Sequence, residues 1–216
     1  MGLILNILIG CLFKAKHNII RGLVITDYYS YKRSVSTASK SLLGNLKIKR
    51  SKFLADNVKL SRTAKISLEE EAEIFLGSNV SFGPRCLLSA SSTKVEIGEN
   101  TSFFSDCLIS GSISIGRNCL FAKNVSVMSS SHEIDGKISI RQNDLDYIKM
   151  YGGVKHKAVV IGDDCWLGNN VVVLPGVVIG NGTVVGANSV VTKSFPALSV
   201  IAGNPAKFIA ERVIEE

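Results

Sequence analysis

The sequence predicts an all-β fold, a parallel β-helix, on three observations. A large apolar residue recurs every six positions, a small or β-branched residue follows each at a fixed offset, and turn-forming pairs separate the units. The large residues run unbroken through Ile97, Phe103, Ile109, Ile115, Phe121 and Val127, and again through Ile161, Leu167, Val173, Ile179, Val185 and Val191. A weaker stretch precedes them at Leu76, Phe82 and Leu88. A period of six is not the 3.6 of an amphipathic helix, but it is a multiple of two, so a short strand in each unit keeps a constant facing.

The small positions are Val80, Cys86, Thr101, Cys107, Cys119, Val125, Cys165, Val171, Val177, Thr183 and Ser189. The position after each large residue is often glycine, as at Gly77, Gly83, Gly98, Gly116, Gly162, Gly168, Gly180 and Gly186. Asp163-Asp164, Asn169-Asn170, Pro175-Gly176 and Asn181-Gly182 supply turn chemistry between strands. Short strands joined by regular turns stack as a solenoid. Three units per coil give an 18-residue coil of triangular cross-section, with the large residues stacked inside.

The composition agrees. Ile and Val contribute 43 of 216 residues, with 19 Gly and only 4 Pro, which favours strands. The length fits one domain plus an appendage. No apolar run reaches the roughly 18 to 20 residues of a membrane span. The net charge of +7 is unevenly placed: residues 1–62 carry 12 Lys/Arg against 2 Asp/Glu, and residues 63–216 carry 13 against 16. A basic region attracts anionic lipid, glycan or nucleic acid, but no finger spacing or aromatic interleaving supports a nucleic-acid partner.

The predicted organisation is a basic, mostly helical or irregular segment over residues 1–62 with an apolar helix at its start, a β-helix over 63–200, and a tail with a short helix over 201–216. The opening MGLILNILIGCLFKAKH lacks the basic start of a signal peptide, and its apolar part, followed by Lys14, Lys16 and Arg21, is expected to pack on a partner subunit or lie on an anionic membrane face. The five cysteines include no CxxC; four of them occupy the small position of the repeat and are expected to be free, buried residues in a reducing compartment. The expected location is cytoplasmic, at most at the inner face of a membrane.

The regular period breaks between Val127 and Ile161, a gap of 34 positions where six is the rule, so about 28 residues leave the coil as an extruded loop over roughly 129–158. Long excursions from a regular scaffold concentrate function. His132 stands at the mouth of this one, the eighteenth residue counted from Ile115. The remaining histidines are His17 and His156. Glu133 reads as a surface carboxylate and His156, flanked by Lys155 and Lys157, as a solvated basic turn. Asp144, Asp146, Tyr147 and Tyr151 are polar candidates in the excursion.

The pattern resembles the hexapeptide repeat of the left-handed β-helix acyltransferases over residues 63–210. The stretch from Val159 to Phe195, with Trp166-Leu167-Gly168 and Val191-Thr192-Lys193, and the later Gly203-Asn204-Pro205-Ala206, look like the sugar O-acetyltransferases of the galactoside and maltose group and the polysaccharide O-acetyltransferases. The resemblance implies an acetyl-CoA cosubstrate, no metal, a homotrimer with sites between subunits, and a saccharide or lipid-linked glycan acceptor. It implies that His132 is the general base, a task to which imidazole as a group is suited because it exchanges protons near neutral pH. Gly168 and Asn169 match the position whose backbone N–H faces the thioester carbonyl. Trp166 matches a residue beside the thioester. Gly186, Ala187, Thr192 and Lys193 match the pantetheine and phosphate path, and Lys207 with Arg212 the nucleotide end. Where galactoside and maltose enzymes carry an acceptor-binding Asn, this chain has Phe104, so Ser105, Asp106 and Tyr151 are the acceptor candidates. The alternatives are an antibiotic O-acetyltransferase or amino-sugar N-acetyltransferase of the same fold, a zinc carbonic anhydrase that would need three clustered histidines, and a non-catalytic scaffold.

Overall fold

A computed structural model describes residues 20–24, 55–68, 72–90, 93–134 and 138–214. The chain winds as a left-handed parallel β-helix of about six turns with three faces. Face one carries β1 (Ile20–Val24), β3 (Lys65–Leu68), β6 (Leu87–Ala90), β9 (Leu108–Ser110), β12 (Ser126–Met128), β15 (Val172–Val173) and β18 (Val190–Val191). Face two carries β4 (Glu73–Leu76), β7 (Lys94–Ile97), β10 (Ile113–Ile115), β13 (Val159–Ile161) and β16 (Val178–Ile179). Face three carries β2 (Lys59–Leu60), β5 (Ser81–Phe82), β8 (Ser102–Phe103), β11 (Leu120–Phe121), β14 (Trp166–Leu167), β17 (Val184–Val185), β19 (Ser199–Ala202) and β20 (Lys207–Glu211). The 18-residue coil is explicit in the register, where Ser102 pairs with Leu120 and Leu108 with Ser126.

All twelve large positions of the two unbroken runs, and all eleven small ones, are buried. Inside, Phe103 stacks on Phe82 and on Phe121 with ring centroids 4.5 Å apart in each case. The buried Thr101 and Cys107 are satisfied by carbonyls of the neighbouring turn: Thr101 Oγ1 donates to Gly116 O at 2.9 Å, and Cys107 Sγ to Ala122 O at 3.1 Å. Cys86, Cys107, Cys119 and Cys165 are free and buried.

Glycine follows the large residue because the next coil lies against that position. A Cβ on Gly83 would sit 1.5 Å from the Phe104 carbonyl oxygen. At the corners the chain turns through the left-handed region, with φ near 60° at Asn118, Asn124, Asn170 and Asn188. Asn tolerates that region better than most residues, and its amide also bonds the next corner, as Asn170 Nδ2 does to Asn188 Oδ1 at 2.9 Å.

The first coils are longer than 18 residues: Lys59 pairs with Ser81 and Ser81 with Ser102, steps of 22 and 21. Their extra residues lie between faces one and two, the edge where the excursion also leaves. There Ile113 pairs with Val159, a step of 46, so 28 residues are inserted into one 18-residue coil.

Four expectations are corrected. The excursion holds a 12-residue helix, α1 (Ile140–Tyr151), capped by Ser139 at its start and by Gly152 in the left-handed conformation at its end. The tail is not a short helix: the chain reverses at Gly203 and β20 runs antiparallel to β19. Pairing with an open sheet edge outweighs the weak helical preference of Lys207–Glu211. The ladder also begins before residue 63, since Ala55 N–H already donates to Leu76 O at 3.0 Å. Of residues 1–54 only β1 is described, a strand antiparallel to β3 rather than helical or irregular; the expected apolar helix lies outside the described residues. Among the described residues no helix is long and apolar enough to cross a membrane.

Candidate functional site

His132 stands four residues past the end of β12, on the edge between faces one and two, with its side chain largely exposed. Its partner is Asp144, in the second turn of α1. Asp144 Oδ2 lies 2.6 Å from His132 Nδ1, and Asp144 Oδ1 accepts the Glu133 amide N–H at 2.8 Å. The Glu133 amide and then the imidazole hold the Asp144 carboxyl below the usual carboxylate range. A carboxylate at Nδ1 keeps the ring proton there and leaves the lone pair on Nε2, the atom free to accept a proton.

Glu133 does not orient the histidine. Its carboxylate pairs with Lys155 Nζ at 2.6 Å, across the neck of the excursion. His156 is no solvated turn either: it is half-buried, with Nδ1 2.8 Å from Ser129 Oγ. Asp146 stays on α1, accepting from Gln142 Nε2 at 2.8 Å, and Tyr151 packs on Tyr147 with centroids 4.5 Å apart.

The other expected site residues fall into two sets. Thr192 and Lys193 follow β18 on the edge between faces one and two, the edge that bears His132. Lys193 Nζ stands 5.7 Å from the centre of the Phe195 ring. Trp166 points outward from face three, half-exposed, in register with Leu120 and Val184. It walls an open cavity of about 250 Å³ with Asn118, Leu120, Asp164, Val184 and Arg212. Gly168-Asn169 and Gly186-Ala187 lie where face three turns into face one, and Lys207 is on β20. In a three-sided prism the edge between faces one and two is opposite face three. A single chain therefore does not bring His132 and Trp166 together.

Several residues are committed elsewhere. The Gly168 N–H donates to Val185 O at 2.8 Å, so it is not free to meet an oxyanion; the Asn169 amide remains as the candidate. Ser105 is buried and bonds Asp106, and Asp106 is held by Arg85 through two contacts of 2.6 and 2.8 Å. Neither is poised to bind an acceptor. The guanidinium of Arg85 holds the Asp106 carboxyl down. Arg212 is tied to Asp164 Oδ2 at 2.9 Å and to Gly182 O at 3.0 Å, fastening β20 to the coil. Phe104 is 71% exposed on face three, where it presents a ring rather than an amide.

Asp144 was not legible as the partner of His132. It lies twelve positions away, and only the return of α1 over the neck brings the two together. Among the described residues no group of His, Cys, Asp and Glu is arranged to hold a metal ion.

Comparison with known proteins agrees with this layout. The hexapeptide repeat of succinyl-transferase matches residues 94–129, and the bacterial transferase hexapeptide (six repeats) matches 158–193. The two matches stop and resume at the excursion. Over 98 residues the chain is 47% identical to a putative lipopolysaccharide biosynthesis O-acetyl transferase, WbbJ, of Escherichia coli (strain K12), covering 45% of this chain and 50% of that protein. It is 40% identical over 106 residues to the putative colanic acid biosynthesis acetyltransferase WcaF of the same organism, covering 49% and 51%. The chain thus spans about half the length of these curated relatives. Among solved structures, a maltose O-acetyltransferase from Clostridium difficile 630 superposes with a TM-score of 0.50 at 26% identity, covering 74% of this chain and 70% of that one. The repeat in both arms of the coil, the single excursion between them and these relatives together show that the chain belongs to the hexapeptide-repeat acyltransferase family.

Proposed function

We propose that this chain is an acetyl-CoA-dependent O-acetyltransferase that acetylates a saccharide hydroxyl during surface-polysaccharide synthesis. The observation that carries it is the His132–Asp144 pair at the mouth of the excursion, 2.6 Å apart with Nε2 left open. The names of the relatives, lipopolysaccharide and colanic acid acetyltransferases, support the substrate class.

The transfer is direct. His132 Nε2 takes the proton of the acceptor hydroxyl as its oxygen attacks the thioester carbon. The Asn169 amide N–H stabilises the oxyanion of the tetrahedral intermediate. The C–S bond then breaks, the thiolate leaves with the proton returned from Nε2, and the products are the sugar ester and free coenzyme A. Asp144 keeps the Nδ1 proton and stabilises the imidazolium formed on the way.

The site is assembled between copies of the chain in a homotrimer. Its support is geometric: His132, Thr192 and Lys193 lie on the edge opposite the face that bears Trp166, so only a neighbouring copy brings the two sets together. Trp166, Gly186, Ala187 and Lys207 on one copy, with Thr192 and Lys193 on the next, then line the coenzyme A path. The exposed Phe104 ring in the acceptor region favours a glycan over a simple galactoside or maltose.

Calorimetric titration of acetyl-CoA into wild type and His132→Ala tests the reading. Saturable binding by both, with thiol release from wild type alone when glycan acceptors are added, is the expected result. Absence of binding by either refutes it and leaves a non-catalytic β-helix.

A further inference from the structure

The 28-residue excursion must be held at its base if α1 is to present Asp144 to His132. The base is built around a second histidine. Ser129 is fully buried, and its Oγ fills the space left by the missing side chain of Gly111: a Cβ there would lie 2.1 Å away. Oγ accepts the Ser112 amide N–H at 2.7 Å and faces His156 Nδ1 at 2.8 Å. A serine hydroxyl has one proton to donate. Among the described residues Nδ1 is the acceptor within reach of that buried proton, so satisfying the hydroxyl sends it to Nδ1 and leaves the ring of His156 neutral with its own proton on Nε2.

The backbone joins the same two segments. Ser130 and His156 form an antiparallel bridge, and the Lys157 N–H donates to Ser129 O at 2.8 Å. Glu133 and Lys155 close the next rung at 2.6 Å, and the Glu133 amide passes to Asp144 at 2.8 Å. His132 is therefore three residues beyond the Ser129 anchor on one strand of the neck, and its partner Asp144 is fixed by that strand. Against the His156 ring are the Ser129 hydroxyl and the backbone at Gly111, with Ser130 opposite it in the backbone bridge. The charged groups beside it are the cations Lys155 and Lys157, with Glu133 drawn to Lys155. Among the described residues, burial is what disfavours the charged imidazole.

We infer that His156 is a positioning residue for His132: as a neutral acceptor for the buried Ser129 hydroxyl it locks the neck in register, and its protonation releases that lock. This rests on the reading of His132 as the base. A charged His156 has a hydrogen on Nδ1, so the Ser129 hydroxyl loses its acceptor in a dry site, a costly arrangement.

The test is nitrogen NMR of the histidine rings in the full chain, which reads tautomers without any acetylation assay. The expected wild-type result is His156 with its proton on Nε2 at neutral pH and His132 with its proton on Nδ1. Ser129→Ala and His156→Ala are expected to shift the tautomer balance and the ring nitrogen resonances of His132. His156→Asn, which returns an amide oxygen near Nδ1, restores them. In turnover, the alanine variants lower kcat about tenfold with KM for acetyl-CoA unchanged, in the range known for groups that orient a functional ligand, and His156→Asn recovers most of it. An unmoved His132 spectrum in folded Ser129→Ala and His156→Ala overturns the inference. Failure of the reading of His132 as the base is seen separately, as full turnover by His132→Ala, and failure of the transferase reading as absence of acetyl-CoA binding.

Discussion

His132 and Asp144 are twelve positions apart in the chain and 2.6 Å apart in space, joined because α1 folds back over the strand that carries the histidine. The same carboxylate also holds the Glu133 amide, so one side chain sets both the backbone and the ring beside it. Asp144→Asn keeps the shape but reverses the preference for the Nδ1 proton. It is expected to lower kcat about 10² to 10⁴-fold, comparable to losing a general base, with acetyl-CoA affinity intact. Steady-state kinetics beside calorimetry check this; a variant within twofold of wild type rules out the pair as the source of base strength.

Acid sensitivity follows from His156. Burial lowers its pKa below the ordinary imidazole value of 6.5. The unfolded chain then binds more protons than the folded one as pH falls through 6.5, so the neutral form's contribution is complete above 6.5 and is lost toward the lowered native value. Amide exchange at Lys157, whose N–H closes the neck, is expected to accelerate across that window, and His156→Asn is expected to abolish the acceleration.

Asp144 acts lower on the pH scale. Its depressed pKa makes a contribution that is present above the ordinary carboxylate range and fades as pH falls through the native value. Protection of the Glu133 amide is expected to fall in that acid range in wild type and to show no such transition in Asp144→Asn.

Trp166 is the only tryptophan in the chain and stands half-exposed on face three. Acetyl-CoA seated against that face is expected to change its emission saturably. A titration in which calorimetric binding saturates while emission stays flat moves the donor away from Trp166.

The interior stack gives a stability test. Phe103 is buried with rings on both sides at 4.5 Å. Phe103→Ala is expected to cost about 3 to 5 kcal/mol in urea unfolding. Gly83→Ala, which forces a Cβ onto the Phe104 carbonyl, is expected to cost at least the 1 to 3 kcal/mol typical of overpacking.

The amino-acid sequence by itself determined the coil. A six-residue period states which side chains face inward, and every large and small position of the two regular runs is buried. It also determined the length of the insertion, 28 residues in the register as in the count, and the place of His132 at its mouth. These features are local: each depends on spacing along one strand and one turn. Only the tertiary structure decided which carboxylate meets His132, that Glu133 turns to Lys155, and that His156 closes on Ser129. Inside the excursion no period ties sequence to position, and partners are chosen by the path of α1 in space. The tail shows the same limit, since β20 forms because β19 offers it an edge. The placement of His132 and Trp166 on opposite parts of the prism belongs there too, because it depends on which coil corner each residue reaches after the chain has wound.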